Sequence, residues 1–356
     1  MKLGFFTMPI HPLEKDWRRS LREDREAFIL ADELGFSEAY CGEHTTDQAE
    51  NITSCSMFLS TLVDAVKTMR LGTGTINMPN AHPAATASNI AMLDHLLEGR
   101  FNFGVSPGGL LSDAEVFGNL DSDRNEMFRE GIDTILKIWA SEAPYNIQGK
   151  YWTVTTERTA LTNIGQGIMP KPLQSPHPPI IVTAVSPFSS SVSYAASRGW
   201  DPISANFLLP KWVATHWTKY VEGCEQAGRD ALPENWRVAR SIFVANDLAK
   251  ARDYALGPDS PYRYYYSQLL TKMKIGGRSI IFKSDPDMSD DDLTVDHVLD
   301  DCVIWGTPDK VVEDLIAFRE TVGEFGMLLY AGKDWTDPDL ARQSMKLLAE
   351  RVQPNL

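Results

Sequence analysis

The chain has 356 residues, 43% of them hydrophobic, with 34 Lys and Arg against 48 Asp and Glu for a formal charge of −14. That is material for a sizeable core, and an acidic chain without a basic block is a poor partner for nucleic acid or anionic membranes. No segment approaches the roughly 20 apolar residues of a membrane span, the start MKLGFFTMPIHP lacks a signal-peptide core, and the cysteines at 41, 55, 224 and 302 show no CxxC spacing, so a cytoplasmic protein with reduced thiols is expected.

In chain order, apolar runs of strand length alternate with amphipathic helical patterns. The first strand is read at Lys2 to Met8, followed by a helix over Ser20 to Leu34 whose apolar residues recur every three to four positions and which Gly35 ends. Further strands are read at Ser37–Gly42, Met69–Ile76, Phe101–Ser106, Pro179–Ala184, Asp201–Ala205, Arg237–Ala245 and Met327–Ala331. Helices are read between them, notably 84–97, 123–140, 189–197, 211–227 and 308–321, the last with Thr307 as N-cap and Pro308 in its first turn. Eight strands each followed by a helix predict an α/β fold of the (β/α)8 TIM barrel type, one domain over residues 1–356. Two stretches break the repeat, at about 144–158 and 257–300, and are read as insertions on the C-terminal face. Residues 283–292 of the second, rich in Asp, are equally well read as a disordered excursion.

No nucleotide or metal motif is present. Gly72-Thr-Gly74-Thr-Ile-Asn77 lacks the third glycine of a dinucleotide fingerprint, and neither a GxxxxGK[ST] loop, an HxH or HExxH pair, nor a GxSxG elbow occurs. Barrel chemistry sits where the strands end. There the sequence places Pro9 and His11, Glu43-His44, Asn77, Ser106-Pro107-Gly108, Val185 to Ser190, Asn206-Phe207, Asn246-Asp247 and Gly332-Lys333. His44 is the acid/base candidate of this set, and the pocket suits a planar, amide-rich cofactor better than a highly charged metabolite. The serine-rich turn at 186–191 enters a helix, so it either cradles a phosphate or simply caps that helix through Ser189.

Five separated blocks carry a resemblance: GEH at 42–44, RLGTGTINMPNAHP at 70–83, LLEGRFNFGVSPG at 96–108, VTAVSPFSSSVSYAASRGW at 182–200 and WGTPDKVVEDL at 305–315. In collinear order across nearly the whole chain, they resemble the bacterial luciferase-like, flavin-dependent monooxygenases. EHTTDQAENI at 43–52, HWTKY at 216–220 and the acidic late insertion make the chain most similar to the two-component branch of limonene and diketocamphane monooxygenases.

The resemblance implies a luciferase-like barrel that takes up FMN as FMNH2 from a separate flavin reductase and inserts one oxygen atom from O2 into a small apolar substrate. The substrate would be a cyclic ketone or terpene-like molecule, oxidised by Baeyer–Villiger or hydroxylation chemistry through a flavin (hydro)peroxide. It implies His44 as the catalytic residue, Thr75, Asn77 and Ser106 against the flavin, and Val185, Ser186 and Ser189 on its phosphate. Pro107 stands where many relatives carry a phosphate-binding Arg, and Arg124, opening the next helix, is the candidate replacement. His11, Trp152, Phe188, Phe207, Tyr265 and Trp335 are read as substrate-pocket residues. The Tyr262-Arg-Tyr-Tyr-Tyr266 cluster is alternatively an aromatic packing layer. A homodimer is expected through the apolar stretches 56–65 and 84–97. Two rivals remain, a deazaflavin-dependent hydride-transfer enzyme of the same superfamily and a non-catalytic flavin-holding subunit; a histidine at 44 argues against the second.

Overall fold

The computed structural model describes residues 1–8 and 10–356; Pro9, read above as a strand-end residue, lies outside the described residues. Eight parallel strands close on themselves: β1 Lys2–Thr7, β2 Glu38–Cys41, β3 Arg70–Thr73, β4 Phe101–Ser106, β5 Ile180–Ala184, β6 Asp201–Ser204, β7 Arg237–Val244 and β8 Met327–Ala331. Each pairs with its sequence neighbours, and β8 returns to β1, with Phe6 opposite both Ala331 and Tyr40. The fold is thus the expected (β/α)8 barrel.

Side-chain alternation sorts the core into two layers. Phe6, Tyr40, Ile181, Ile203, Ala239, Met327 and Leu329 fill the barrel interior, while the larger cluster lies between strands and helices. The first helix, Trp17–Glu33, turns Ala27, Phe28 and Ala31 onto the strands, and Gly35 leaves it at φ +78°, a conformation most side chains resist.

Three details depart from the sequence reading. The strand expected over Met69–Ile76 breaks at Gly74-Thr75 and resumes at Ile76–Asn77, which pairs with Val105 and Ser106 of β4. An unexpected strand, Val303–Gly306, pairs with Ser241–Val244 where β7 continues beyond its neighbours. The apolar stretch at 56–65 is helical only as Cys55–Ser60.

The second insertion is largely helical, with helices Pro261–Ile275 and Val295–Cys302. Between them the acidic run is tied down, because Asp290 pairs with Lys283 at 2.7 Å and accepts from Ser279 at 2.7 Å. Tyr262, Tyr265 and Tyr266 are buried where the insertion helix seats on the core. Residues 144–158 contain an antiparallel hairpin, Asn146–Gln148 with Thr153–Thr155.

Candidate active site at the barrel mouth

His44 continues the inward row of β2 beyond the strand end. Its backbone N–H donates to the Ile52 carbonyl, and Asp113 accepts from the N–H groups of Thr45 and Thr46, so the loop carrying the histidine is held on both sides. Its Nδ1 is hydrogen-bonded to the buried carboxylate of Glu50, whereas Nε2 has no protein partner among the described residues. Burial opposes the charged ring, but Glu50 outweighs it and holds the His44 pKa above its ordinary value. Lys272, on the insertion helix Pro261–Ile275, bonds Asp47 and, at 3.1 Å, the other oxygen of Glu50. Glu50 and Lys272 were missed as site residues. Glu50 stands within the quoted run at 43–52, but nothing in one sequence says which acid folds back on the histidine.

Next to His44, Glu43 joins β2 to β3. Its carboxylate accepts from the N–H groups of Cys55 at 2.8 Å and Asn77 at 3.1 Å, and the Asn77 amide donates to the Glu43 carbonyl at 3.0 Å. Thr75 donates to Ser106 at 2.7 Å, and Ser106 donates to Asn77 at 3.0 Å. The pairing of Asn77 with Ser106 is what the short strand Ile76–Asn77 provides. Thr75, Ser106, Asn77 and Glu43 therefore form one connected polar edge across the ends of β2, β3 and β4, with His44 next in sequence to Glu43. Arg124 reaches the same place, donating from Nη1 to the Gly108 carbonyl at 3.1 Å.

In the turn after the neighbouring β5, Val185 and Phe188 are exposed and Ser189 is buried. Ser189 occupies the N-cap position of helix Ser190–Ser197 yet makes no side-chain capping bond; its hydroxyl pairs with that of Ser191 at 2.7 Å. The capping interpretation of this serine therefore fails, and the first N–H groups of the helix keep their donors for another acceptor. The turn is braced from behind by His216, whose Nε2–H donates to the Ser186 carbonyl at 2.8 Å while Nδ1 accepts from Ser204 at 2.8 Å. Burial pushes His216 down to about 4, so it stays neutral.

The residues read as pocket wall are dispersed. Tyr265 and Phe207 are buried beside the mouth, with the Tyr265 hydroxyl donating to Asn206 at 3.3 Å. Phe188 lies edge-on to Trp212 at 6.4 Å. Trp152 sits on the hairpin, its N–H bound to Glu130 at 3.0 Å. Trp335 is buried in the outer core beneath Arg342. His11 is clamped between Asp334 at 2.5 Å and Asp24 at 3.1 Å. Burial disfavours its charge, but the two carboxylates prevail and raise it to about 9. Its ring nitrogens are thus both committed within the protein, although it borders a cleft together with Lys15, Asp47, Glu50 and Asn51.

The model of the luciferase-like monooxygenase family matches residues 1–324. The chain belongs to this family. It is an enzyme of the luciferase-like, flavin-dependent oxidoreductase class. It is 29% identical to a 4-hydroxyprotoasukamycin monooxygenase of Streptomyces nodosus subsp. asukaensis, covering 99% of this chain and 92% of the relative. Limonene 1,2-monooxygenase of Rhodococcus erythropolis is 27% identical over 99% and 86% of the two chains. Among solved structures, the oxygenating constituent of 3,6-diketocamphane monooxygenase from Pseudomonas putida, a Type II Baeyer–Villiger enzyme in complex with FMN, superposes with a TM-score of 0.88 at 24% identity over 99% and 98% of the chains.

Proposed function

We propose that this family member is a two-component monooxygenase that takes FMNH2 from a separate reductase and inserts one atom of O2 into a small apolar substrate. The observation that carries the reading is His44, held by Glu50 at the barrel mouth with Nε2 free of protein partners, beside the polar edge of Thr75, Asn77 and Ser106. The donor set fits the cofactor. The turn at Val185, Ser186 and Ser189 offers hydroxyls and free N–H groups to one phosphate, Arg124 supplies a cation near Pro107, and the polar edge supplies groups for a flavin ring. When bound, the reduced flavin supplies the electrons that activate O2, one atom of which enters the substrate while the other leaves as water.

His44 holds or moves a proton at Nε2, and Glu50 fixes the ring so that this nitrogen faces the mouth. Helix Pro261–Ile275 borders the mouth through Lys272, bonded to Asp47 and Glu50, and Tyr265, bonded to Asn206. The protein works in the cytoplasm as a homodimer, pairing through Met57, Met92 and Leu96, which lie exposed on helices 55–60 and 83–96. Reduced FMN is expected to bind at least about tenfold more tightly than NADH. With a flavin reductase and 18O2, one labelled oxygen is expected in a cyclic ketone or terpene product. Hydride transfer from a reduced deazaflavin, with no oxygen incorporated, is the outcome that replaces this reading with the rival one.

A further inference from the structure

Lys333 is placed in the barrel mouth by strand alternation. Met327 and Leu329 of β8 face the barrel interior, whereas Tyr330 stacks on Phe5 outside it, and a Cβ on Gly332 would meet Phe5 and Thr7. Continuing the period of two turns Ala331 and then Lys333 inward. The register sets the depth. Ala331, Phe6 and Tyr40 share one layer, so Lys333 lies in the next, level with Met8 and Gly42, and His44 lies one layer higher. β8 is two strands from β2, roughly 10 Å around the ring, and directly across the barrel from β4, which carries Ser106.

The surroundings of this amine are unusual for the chain. Lys15, Lys272 and Lys283 are all paired with carboxylates, but Lys333 has no carboxylate oxygen within 4.0 Å among the described residues. The adjacent Asp334 is committed to His11 and Lys15 on the outer side. What Lys333 has instead is the face of Tyr265 at 4.0 Å, that of Tyr262 at 5.8 Å, and long contacts of 3.3 Å to the Ala331 and Gly332 carbonyls. The residue as a whole is partly buried, with the ammonium set among these rings and carbonyls. Burial alone pushes its ammonium down to about 7, the mark of a cation whose surroundings leave its charge uncompensated. An amine with three donors, facing inward with no strong acceptor, is completed by a ligand oxygen.

We propose that Lys333 is a substrate-contacting residue that donates a hydrogen bond to the carbonyl oxygen of a ketone lying between the β3–β4 edge and the β8 wall. This deepens the flavin reading above and rests on it, and it selects carbonyl compounds among the candidate substrates. Its chemical consequence is specific. Were a nucleophile to bond to the carbonyl carbon, the C=O π pair would move onto the carbonyl oxygen, and the Lys333 ammonium would stabilise the charge developing there. Tyr265 and Lys272, seven residues apart on one helix, share a face. That helix therefore packs over Lys333 and ties down Glu50 at the same time.

The test compares wild type, Lys333→Met and Lys333→Arg in the full chain, with reduced FMN supplied by excess reductase, and norcamphor and cyclohexanone as probe ketones and limonene as a carbonyl-free probe. FMN affinity and melting temperature serve as checks on folding. The expected result is conversion of a ketone by wild type, a fall in kcat/KM of about 100-fold in Lys333→Met, the size typical of losing one donor to a developing oxyanion, and partial recovery in Lys333→Arg. Ketone turnover by Lys333→Met within threefold of wild type overturns the proposal while leaving the flavin reading intact. So does a wild type that oxidises limonene but neither ketone. Failure of the wild-type chain to bind FMN overturns the flavin reading and takes this proposal with it.

Discussion

At the scale of single residues, the site places two groups of opposite origin on His44. Burial disfavours the imidazolium, the carboxylates of Glu50 and then Asp113 favour it strongly enough to prevail, and Lys272 disfavours it. His44→Ala is expected to lower product formation by about 10²–10⁴-fold while FMN affinity and melting temperature stay close to wild type, because the role is proton management at the mouth. Measuring turnover beside cofactor affinity and stability separates this from a packing role, which would lower all three. Glu50→Gln removes the charge that holds the His44 pKa up. Whichever protonation state of His44 carries the reaction, its inflection in the pH profile of kcat/KM is expected to move to lower pH, by about one unit or more.

At the scale of elements, the insertion helix Pro261–Ile275 does more than border the barrel mouth. Ser260 caps its start, accepting from Tyr262 at 3.1 Å and Arg263 at 3.3 Å, and three buried tyrosines seat it on the core. Lys272, near its other end, then reaches the loop after β2. Lys272→Met should move the same pH inflection upward, opposite to Glu50→Gln, since a positive charge that opposes protonation of His44 is gone. An inflection that does not move, or moves the same way as in Glu50→Gln, shows that the helix and the histidine are not electrostatically coupled. The acidic run behind the helix has local partners: its Asp290 bonds a lysine and a serine, and Leu293 just after it is buried.

At the scale of the whole molecule, two buried histidines contribute stability that is lost in opposite pH directions. His11 is raised from 6.5 to about 9, so its contribution is complete below pH 6.5 and is lost as pH rises through about 9. His216 is lowered from 6.5 to about 4, so its contribution is complete above pH 6.5 and is lost as pH falls through about 4. Each displacement corresponds to roughly 3 kcal/mol. Melting temperatures should therefore fall on both sides of neutrality, and His11→Gln should lose the part of the alkaline decline that His11 supplies. An unchanged alkaline slope in that variant contradicts the assignment. The proposed dimer is tested at the same scale. Met92 is 58% exposed on helix 83–96, and Met92→Glu should convert a dimer to a monomer by light scattering at micromolar concentration; a wild-type monomer counts against the dimer outright.

The strand and helix alternation, the closure into a barrel and the position of His44 at a strand end were legible in the chain itself. Period-two and period-3.6 patterns are written residue by residue, and in a barrel the end of each strand is where the chemistry faces. The collinear blocks carried the family in the same way. What the chain left open were contacts made across long sequence distances. Glu50 and Lys272 meet at 3.1 Å across 222 positions, and His11 and Asp334 at 2.5 Å across 323. No local pattern records which of 48 acids will pair with which base. The strand at 303–306 escaped notice for a related reason: it exists because β7 runs on past its barrel neighbours and exposes an edge that only pairing can satisfy. That three tyrosines of 262–266 are buried under one helix was equally out of reach of the local pattern. Tertiary structure decides such cases because burial and partnership belong to the fold, whereas propensity and periodicity belong to the sequence.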